Sequence, residues 1–251
     1  MGERIWTAGL LLIGDELLSG RTQDRNLAPV ASWLNLQGIR LAEARVVADD
    51  LDAIAEAVNA LRARHDYLFT TGGIGPTHDD ITVDAVARAL GVPVVVHPKA
   101  RAALEAYYAT RGGATEARLR MARVPEGAEL IENAASGAPG IRIGNVFILA
   151  GIPPVAAMML EALSGKLAGG KPLLSRTLGC WVAESEVAEL LGATERDHPQ
   201  CRIGSYPFYR DGRAGANFVV RGTDIDAVEA CRADLAARLE AAGRIVAAEG
   251  I

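Results

Sequence analysis

Residues 67–90 read YLFTTGGIGPTHDDITVDAVARAL. The first five are apolar or β-branched and stop at a glycine pair, the pattern of a short strand buried on both faces. After the loop, Val83, Val86, Ala87 and Leu90 recur at helical spacing. A strand that runs through a glycine loop into a helix suits a parallel sheet, because the chain must cross over before it can return alongside itself.

The alternation continues outward in both directions. Ile5 to Ile13 is mostly apolar and broken by Gly14, predicting a first buried strand. Asn26 opens a helical pattern through Leu27, Val30, Ala31 and Leu34, stopped at Gly38. IRLAEARVV, residues 39–47, reads as a strand that runs out at Asp49 and Asp50, and Leu51, Ile54, Ala55, Val58 and Leu61 form the next helix face. VPVVVH, residues 92–97, reads as a further strand. Lys99 to Met121 is helical in pattern, interrupted at Gly112 and Gly113. GIRIGNVFILAG, residues 140–151, reads as a hairpin turning at Gly144 and Asn145, followed by a helix from Val155 to Leu163. The expected fold class is α/β, a three-layer sandwich with a mostly parallel sheet.

SGKLAGGKP, Ser164 to Pro172, is the linker candidate. Beyond it the pattern predicts a strand over Leu174–Trp181, a helix over Glu184–Leu191 and a strand over Cys201–Tyr206. A turn at Asp211 and Gly212, a strand over Asn217–Arg221 and a helix over Asp224–Ala242 follow. This is a small α+β unit of βαββα order. The expected domains are residues 1–167 and 172–251.

Bulk properties narrow the function classes. Of 251 residues 50% are hydrophobic, enough for a sizeable core. The net charge of −5 gives no electrostatic reason to expect nucleic acid as the main partner. Cys180, Cys201 and Cys231 form no CxxC pair and suit a reducing compartment. The amino-terminal apolar run ends in acids and lacks the features of a signal peptide, and no run approaches the ~18 apolar residues of a membrane span. The expectation is a cytoplasmic protein with no membrane partner.

Ligands in open α/β sheets bind beyond the carboxyl ends of the strands. Three acidic or glycine-rich elements fall at such ends: Gly14-Asp15-Glu16, Asp49-Asp50 and the loop Gly72–Asp80. Gly72, Gly73 and Gly75 let a ligand approach the main chain closely, and the following helix start favours an anion. The loop is neither a Walker A motif nor GxGxxG. Asp79 and Asp80 would repel a phosphate. One of them could simply cap the helix. If Asp49 and Asp15 converge on them, a divalent cation such as Mg²⁺, which takes carboxylate and phosphate oxygens, answers the repulsion. Thr71 and Thr77 can add hydroxyls. His78 reads as a solvated neighbour of the acids, and Asn26 as either a helix cap or a ligand contact.

LLIGDELLSGRTQDRN, VVADD, TTGGIGPTHDDIT, VPEGAELIENAASGAPG and LAGIPP occur in the order found in the amino-terminal region of the CinA family (competence/damage-inducible protein A). That region resembles the molybdopterin-binding domains of the MogA, MoaB and MoeA proteins. The resemblance covers Ile5 to about Leu167, and the segment with RIGSYPFY is similar to the second domain of the same region. It implies an α/β sandwich and a glycine-loop site for molybdopterin or a nucleotide. It also implies functional aspartates at Asp49 and Asp80, as metal ligands or for orienting water, with Mg²⁺ or Co²⁺ as cofactor. The activities it implies are metal-dependent hydrolysis of nucleotide pyrophosphates such as ADP-ribose or FAD, adenylyl transfer to molybdopterin, or binding without turnover. Gly14, Asp15, Glu16, Asn26, Gly151 and Pro153 complete the expected pocket. Deamidase activity is not implied, since the amidase domain of full-length CinA has no counterpart in this sequence. Family habit and apolar content point to a homo-oligomer, a dimer being the expectation. Where the family usually has PGVPxE, this chain has Ala150-Gly151-Ile152-Pro153-Pro154-Val155, without the first proline and the acid.

Overall fold

The computed structural model describes residues 4–133, 136–210 and 212–251. Ala134 and Ala135 of the VPEGAELIENAASGAPG stretch, and Asp211 of the expected turn, lie outside the described residues. The chain divides into two units, one ending at Gly170 and one starting at Lys171.

The larger unit runs β1 (Trp6–Ile13), α1 (Asp15–Leu18), α2 (Leu27–Leu36), β2 (Ile39–Val47), α3 (Leu51–Arg64), β3 (Tyr67–Thr71) and α4 (Thr82–Leu90). It continues through β4 (Val94–Val96), α5 (Pro98–Tyr108), α6 (Glu116–Leu119), β5 (Arg123–Pro125) and β6 (Glu129–Ile131). It ends with β7 (Gly140–Ile143), β8 (Val146–Leu149) and α7 (Pro153–Glu161). Six strands form one sheet in the order β2-β1-β3-β8-β7-β6. The first four are mutually parallel, and β7 and β6 are added antiparallel through the hairpin.

The sheet is covered on both faces, which is why β1 reads as an unbroken apolar run. Leu10 and Leu12 pack with Trp33 of α2, Phe69 and Met159 of α7. Leu11 and Ile13 point the other way, into Ile54 and Val58 of α3 and Val86 of α4. Burying each such leucine contributes about 2 kcal/mol of transfer free energy. Phe69 and Phe147, on neighbouring strands, stack with centroids 4.8 Å apart. The result is the expected three-layer α/β sandwich. VPVVVH does form a strand, but β4 stands outside this sheet and pairs antiparallel with β5. Pro93 and Pro98 bracket it, each without an N–H to donate, so only three residues extend.

The smaller unit runs β9 (Leu174–Cys180), α8 (Glu184–Asp197), β10 (Arg202–Arg210), β11 (Arg213–Gly222), α9 (Ile225–Ala241) and β12 (Val246–Ala247). Its antiparallel sheet has the order β10-β11-β9-β12. The short β12 is a fourth strand beyond the expected βαββα. Asp224 caps α9, accepting from the amides of Asp226 and Ala227. Leu178, Phe218 and Val220 pack against Val187, Val228 and Leu235 to form a separate core. Cys180, Cys201 and Cys231 are all buried free thiols. Burial, with Cys201 alongside, pushes the Cys231 thiol up to about 12. Among the described residues no helix is long and apolar enough to cross a membrane.

Candidate ligand site

The carboxyl ends of β1, β2, β3 and β8 open on one cavity of about 810 Å³. Of the residues singled out in the sequence, Gly14, Glu16, Asn26 and Asp49 line it from the first two strand ends. Thr71, Gly72, Gly73, Gly75, Asp79 and Asp80 line it from the glycine loop, and Gly151 and Pro153 from the segment after β8. Asp15 and Thr77 are not in its wall. Each instead holds a carboxylate that is.

The glycine loop owes its path to two positive-φ residues, Gly72 at 106° and Gly73 at 65°. A Cβ on Gly72 would lie 2.2 Å from the carbonyl oxygen of Ile13, so β1 and the loop can approach only through glycine. Thr82, at the start of α4, locks the loop: its Oγ1 donates to the Gly72 carbonyl at 2.8 Å, and its amide donates to the Gly73 carbonyl at 3.0 Å. The amides of Gly73, Ile74 and Gly75 donate to no protein group among the described residues. Three successive free N–H groups beside a helix start form an anion cradle.

Carboxylates surround this cradle. Asp80 folds back over Gly75 and accepts from the Thr77 amide at 2.7 Å and from Thr77 Oγ1 at 2.5 Å through one oxygen. Its other oxygen has no hydrogen-bond partner among the described residues. Asp15 and Asp49 exchange backbone-to-carboxylate hydrogen bonds, at 3.0 Å and 3.3 Å. Burial raises the Asp49 pKa, the Asp15 amide opposes this, and the charges of Asp15, Glu16 and Asp79 raise it further. Against Glu16, Asp24, Asp49, Asp79 and Asp80, Arg25 is the one cation in the wall among the described residues.

Asn26 occupies the N-cap position of α2, but its side chain does not cap. Asp24 does that work, accepting from the amides of Asn26 and Leu27. The Asn26 Nδ2 reaches across the cavity floor and donates to the Gly151 carbonyl at 2.8 Å. His78 is exposed and outside the wall. Sequence reasoning missed Thr22, Gln23 and Arg25 at the rim, and Tyr108, Met121, Ser136 and Ala138 on the far side. The rim residues lie within four positions of Asn26, which could have flagged them. The far-side residues are brought in only by the tertiary fold. At Val155, where the family's acid would stand, the wall is apolar.

Among the described residues no group of three His, Cys, Asp or Glu side chains is placed to hold a metal ion. The donor chemistry still fits a hard cation held by one or two carboxylates, with ligand phosphates and water as its remaining ligands. The raised Asp49, among acids, is where such a charge would relieve repulsion.

Fold and site together define a three-layer α/β domain with an amide cradle and an acidic cluster at the carboxyl ends of its parallel strands. Residues 9–169 match the family described as probable molybdopterin binding domain, and residues 172–248 match the FAD synthase middle domain. The chain belongs to the molybdopterin-binding domain family of the CinA amino-terminal type. A protein of Aeropyrum pernix is 36% identical over 213 residues, covering 80% of this chain and 78% of its own length. A CinA-like protein of Desulfosudis oleivorans is 37% identical over 209 residues, and this chain spans about half of it, 51%. The crystal structure of CinA from Thermoplasma acidophilum superposes with a TM-score of 0.59 at 33% identity, over 64% of this chain and 98% of that one.

Proposed function

We propose that the larger unit binds a nucleotide pyrophosphate and hydrolyses it with a divalent cation, Mg²⁺ or Co²⁺. The observation that carries this reading is the facing of free amides at Gly73, Ile74 and Gly75 and the Asp49 and Asp80 carboxylates within one cavity. The amides take the phosphate oxygens. Asp49 and Asp80 would hold the cation, which would neutralise the phosphates and polarise a phosphoryl oxygen. Asp49, more basic than an ordinary aspartate, also orients the attacking water by accepting its hydrogen bond. Water adds to one phosphorus and the bridging P–O bond breaks, giving AMP and ribose 5-phosphate from ADP-ribose, or AMP and FMN from FAD. The match of the smaller unit to a FAD synthase domain supports a nucleotide as substrate. The protein is expected to work as a homodimer in the cytoplasm.

A second reading rests on Val155: with a methyl-lined wall in place of the acid, the pocket is a binding module for a pterin or nucleotide. One assay separates the readings. The purified chain is incubated with ADP-ribose, FAD, or ATP plus molybdopterin, with Mg²⁺, Co²⁺ or EDTA. Metal-dependent AMP release from ADP-ribose or FAD supports hydrolysis. Adenylylated pterin would replace it with adenylyl transfer, and binding without product with the module.

A further inference from the structure

Both helices of the smaller unit, α8 and α9, pack on the same face of its sheet. Phe218 and Val220 of β11 lie in the core under α8 and α9, so their neighbours Asn217, Val219 and Arg221 face the other way. The pairing of β10 with β11 brings Tyr206 opposite Asn217, Phe208 opposite Gly215 and Arg210 opposite Arg213 on that open face.

Three features of the face go together. Its rings lie close to glycines: a Cβ on Gly215 would meet the Phe208 ring at 2.3 Å, and one on Gly204 would meet the Tyr206 ring at 3.1 Å. Guanidinium groups border each ring. Arg213 stands over Trp181 at 4.7 Å, Arg210 over Phe208 at 5.5 Å and Arg221 over Tyr206 at 5.5 Å. Trp181 meets Phe208 edge-on at 5.2 Å. Finally, charge is segregated. Apart from Asp211, Asp224 and Glu249, every acid of this unit is on α8 or α9. Arg210 and Arg213 form no ion pair among the described residues.

We propose that this open face is a platform for single-stranded nucleic acid. Aromatic rings stack on any base, and arginines between them meet phosphates. Tyr206 and Phe208 are two residues apart on one strand, about 7 Å. That is twice the ~3.4 Å rise per nucleotide of a stacked strand, so successive bases of a stretched chain each meet a ring. The surface is open where a mononucleotide site would be concave, so affinity must accumulate along a polymer. The chain's overall charge of −5 averages over the acidic helices and does not describe the field at this face. The segment 249–251 lies over Gly179 of β9 and Asn217 of β11, Ile251 donating its amide to Asn217 Oδ1 at 2.9 Å, so the platform is the part of the face that carries Tyr206, Phe208, Arg210 and Arg213.

The test is fluorescence anisotropy of the whole chain with a labelled oligouridylate of about ten nucleotides. The double variant Arg210→Ala/Arg213→Ala is expected to weaken binding at least tenfold and to flatten the salt dependence by about 1.4 in slope, two phosphate contacts of a single strand. Tyr206→Ala, at a half-exposed ring, is expected to weaken binding about fivefold or more with the salt slope unchanged. Arg210→Lys/Arg213→Lys restores most of the slope and controls for folding. Metal-dependent AMP release should be the same in all these variants. No binding by the wild type overturns the proposal. So does unaltered affinity in the alanine double variant, equal affinity for UMP, or equal displacement by a glutamate-rich peptide.

Discussion

The Asp15 amide donates to the Asp49 carboxylate at 3.0 Å, and the Asp49 amide donates back to the Asp15 carboxylate at 3.3 Å. This reciprocal pair joins the ends of two parallel strands and holds two negative charges together. It keeps Asp49 in place at a cost in electrostatic repulsion that a cation would lift.

Asp49→Asn is therefore expected to stabilise the ligand-free protein. The amide oxygen can keep the bond from the Asp15 backbone while the like charges are relieved. Melting of the larger unit should rise by roughly 1–3 °C near neutral pH. The same variant should lose any gain in Tm that Mg²⁺ or Co²⁺ gives the wild type. Scanning calorimetry with metal and with EDTA reads both effects.

The pH dependence has a definite sign. Folding raises the pKa of Asp49 above its ordinary 3.8. Protonated Asp49 therefore favours the folded state, and that contribution fades as pH rises through the folded value. Across this window the stability advantage of Asp49→Asn over wild type should grow with pH and then level off. Urea unfolding at a series of pH values measures it, and an advantage that shrinks with rising pH would contradict the assignment.

Gly72→Ala should be severe. The new Cβ would enter contact with the Ile13 carbonyl at a backbone φ of 106°. The expected loss is about 2–4 kcal/mol, roughly 5–12 °C in Tm. Neither β1 nor the loop can shift without breaking sheet hydrogen bonds. A drop under about 1 kcal/mol would show that the loop has slack.

Asn26→Ala removes the bond to the Gly151 carbonyl from a side chain that is 8% exposed. The expected cost is about 1–2 kcal/mol of stability, with weaker ligand binding because Gly151 is freed at the cavity floor. Val155→Glu tests the apolar wall in the other direction. Restoring the family's acid should tighten divalent-metal binding about tenfold, as another carboxylate joins the cluster.

The long elements were legible because their periodicity is long enough to read. β1, β2, β3 and the helices α2, α3 and α4 each carry at least four patterned residues. β5, β6 and β12 are two or three residues long, too short to show a period, and β4 gives no local sign that it leaves the sheet. The site divides along the same line. Gly14, Asp49 and the residues from Thr71 to Asp80 announce themselves as strand ends rich in glycine and acid. Tyr108 and Met121 do not, because they are ordinary helical residues until α5 and the turn after α6 fold over the loop. The roles of Asp15 and Thr77, which position Asp49 and Asp80, depend on hydrogen bonds that form only in the folded chain.

Under the proposed function, backbone amides and a carboxylate-held cation grip a diphosphate together. Calorimetric titration of the chain with ADP, first with Mg²⁺ and then with EDTA, separates the two contributions. Binding that needs the metal and falls at least tenfold in Asp80→Asn is the predicted result. ADP binding of equal strength in EDTA and in Asp80→Asn would contradict it.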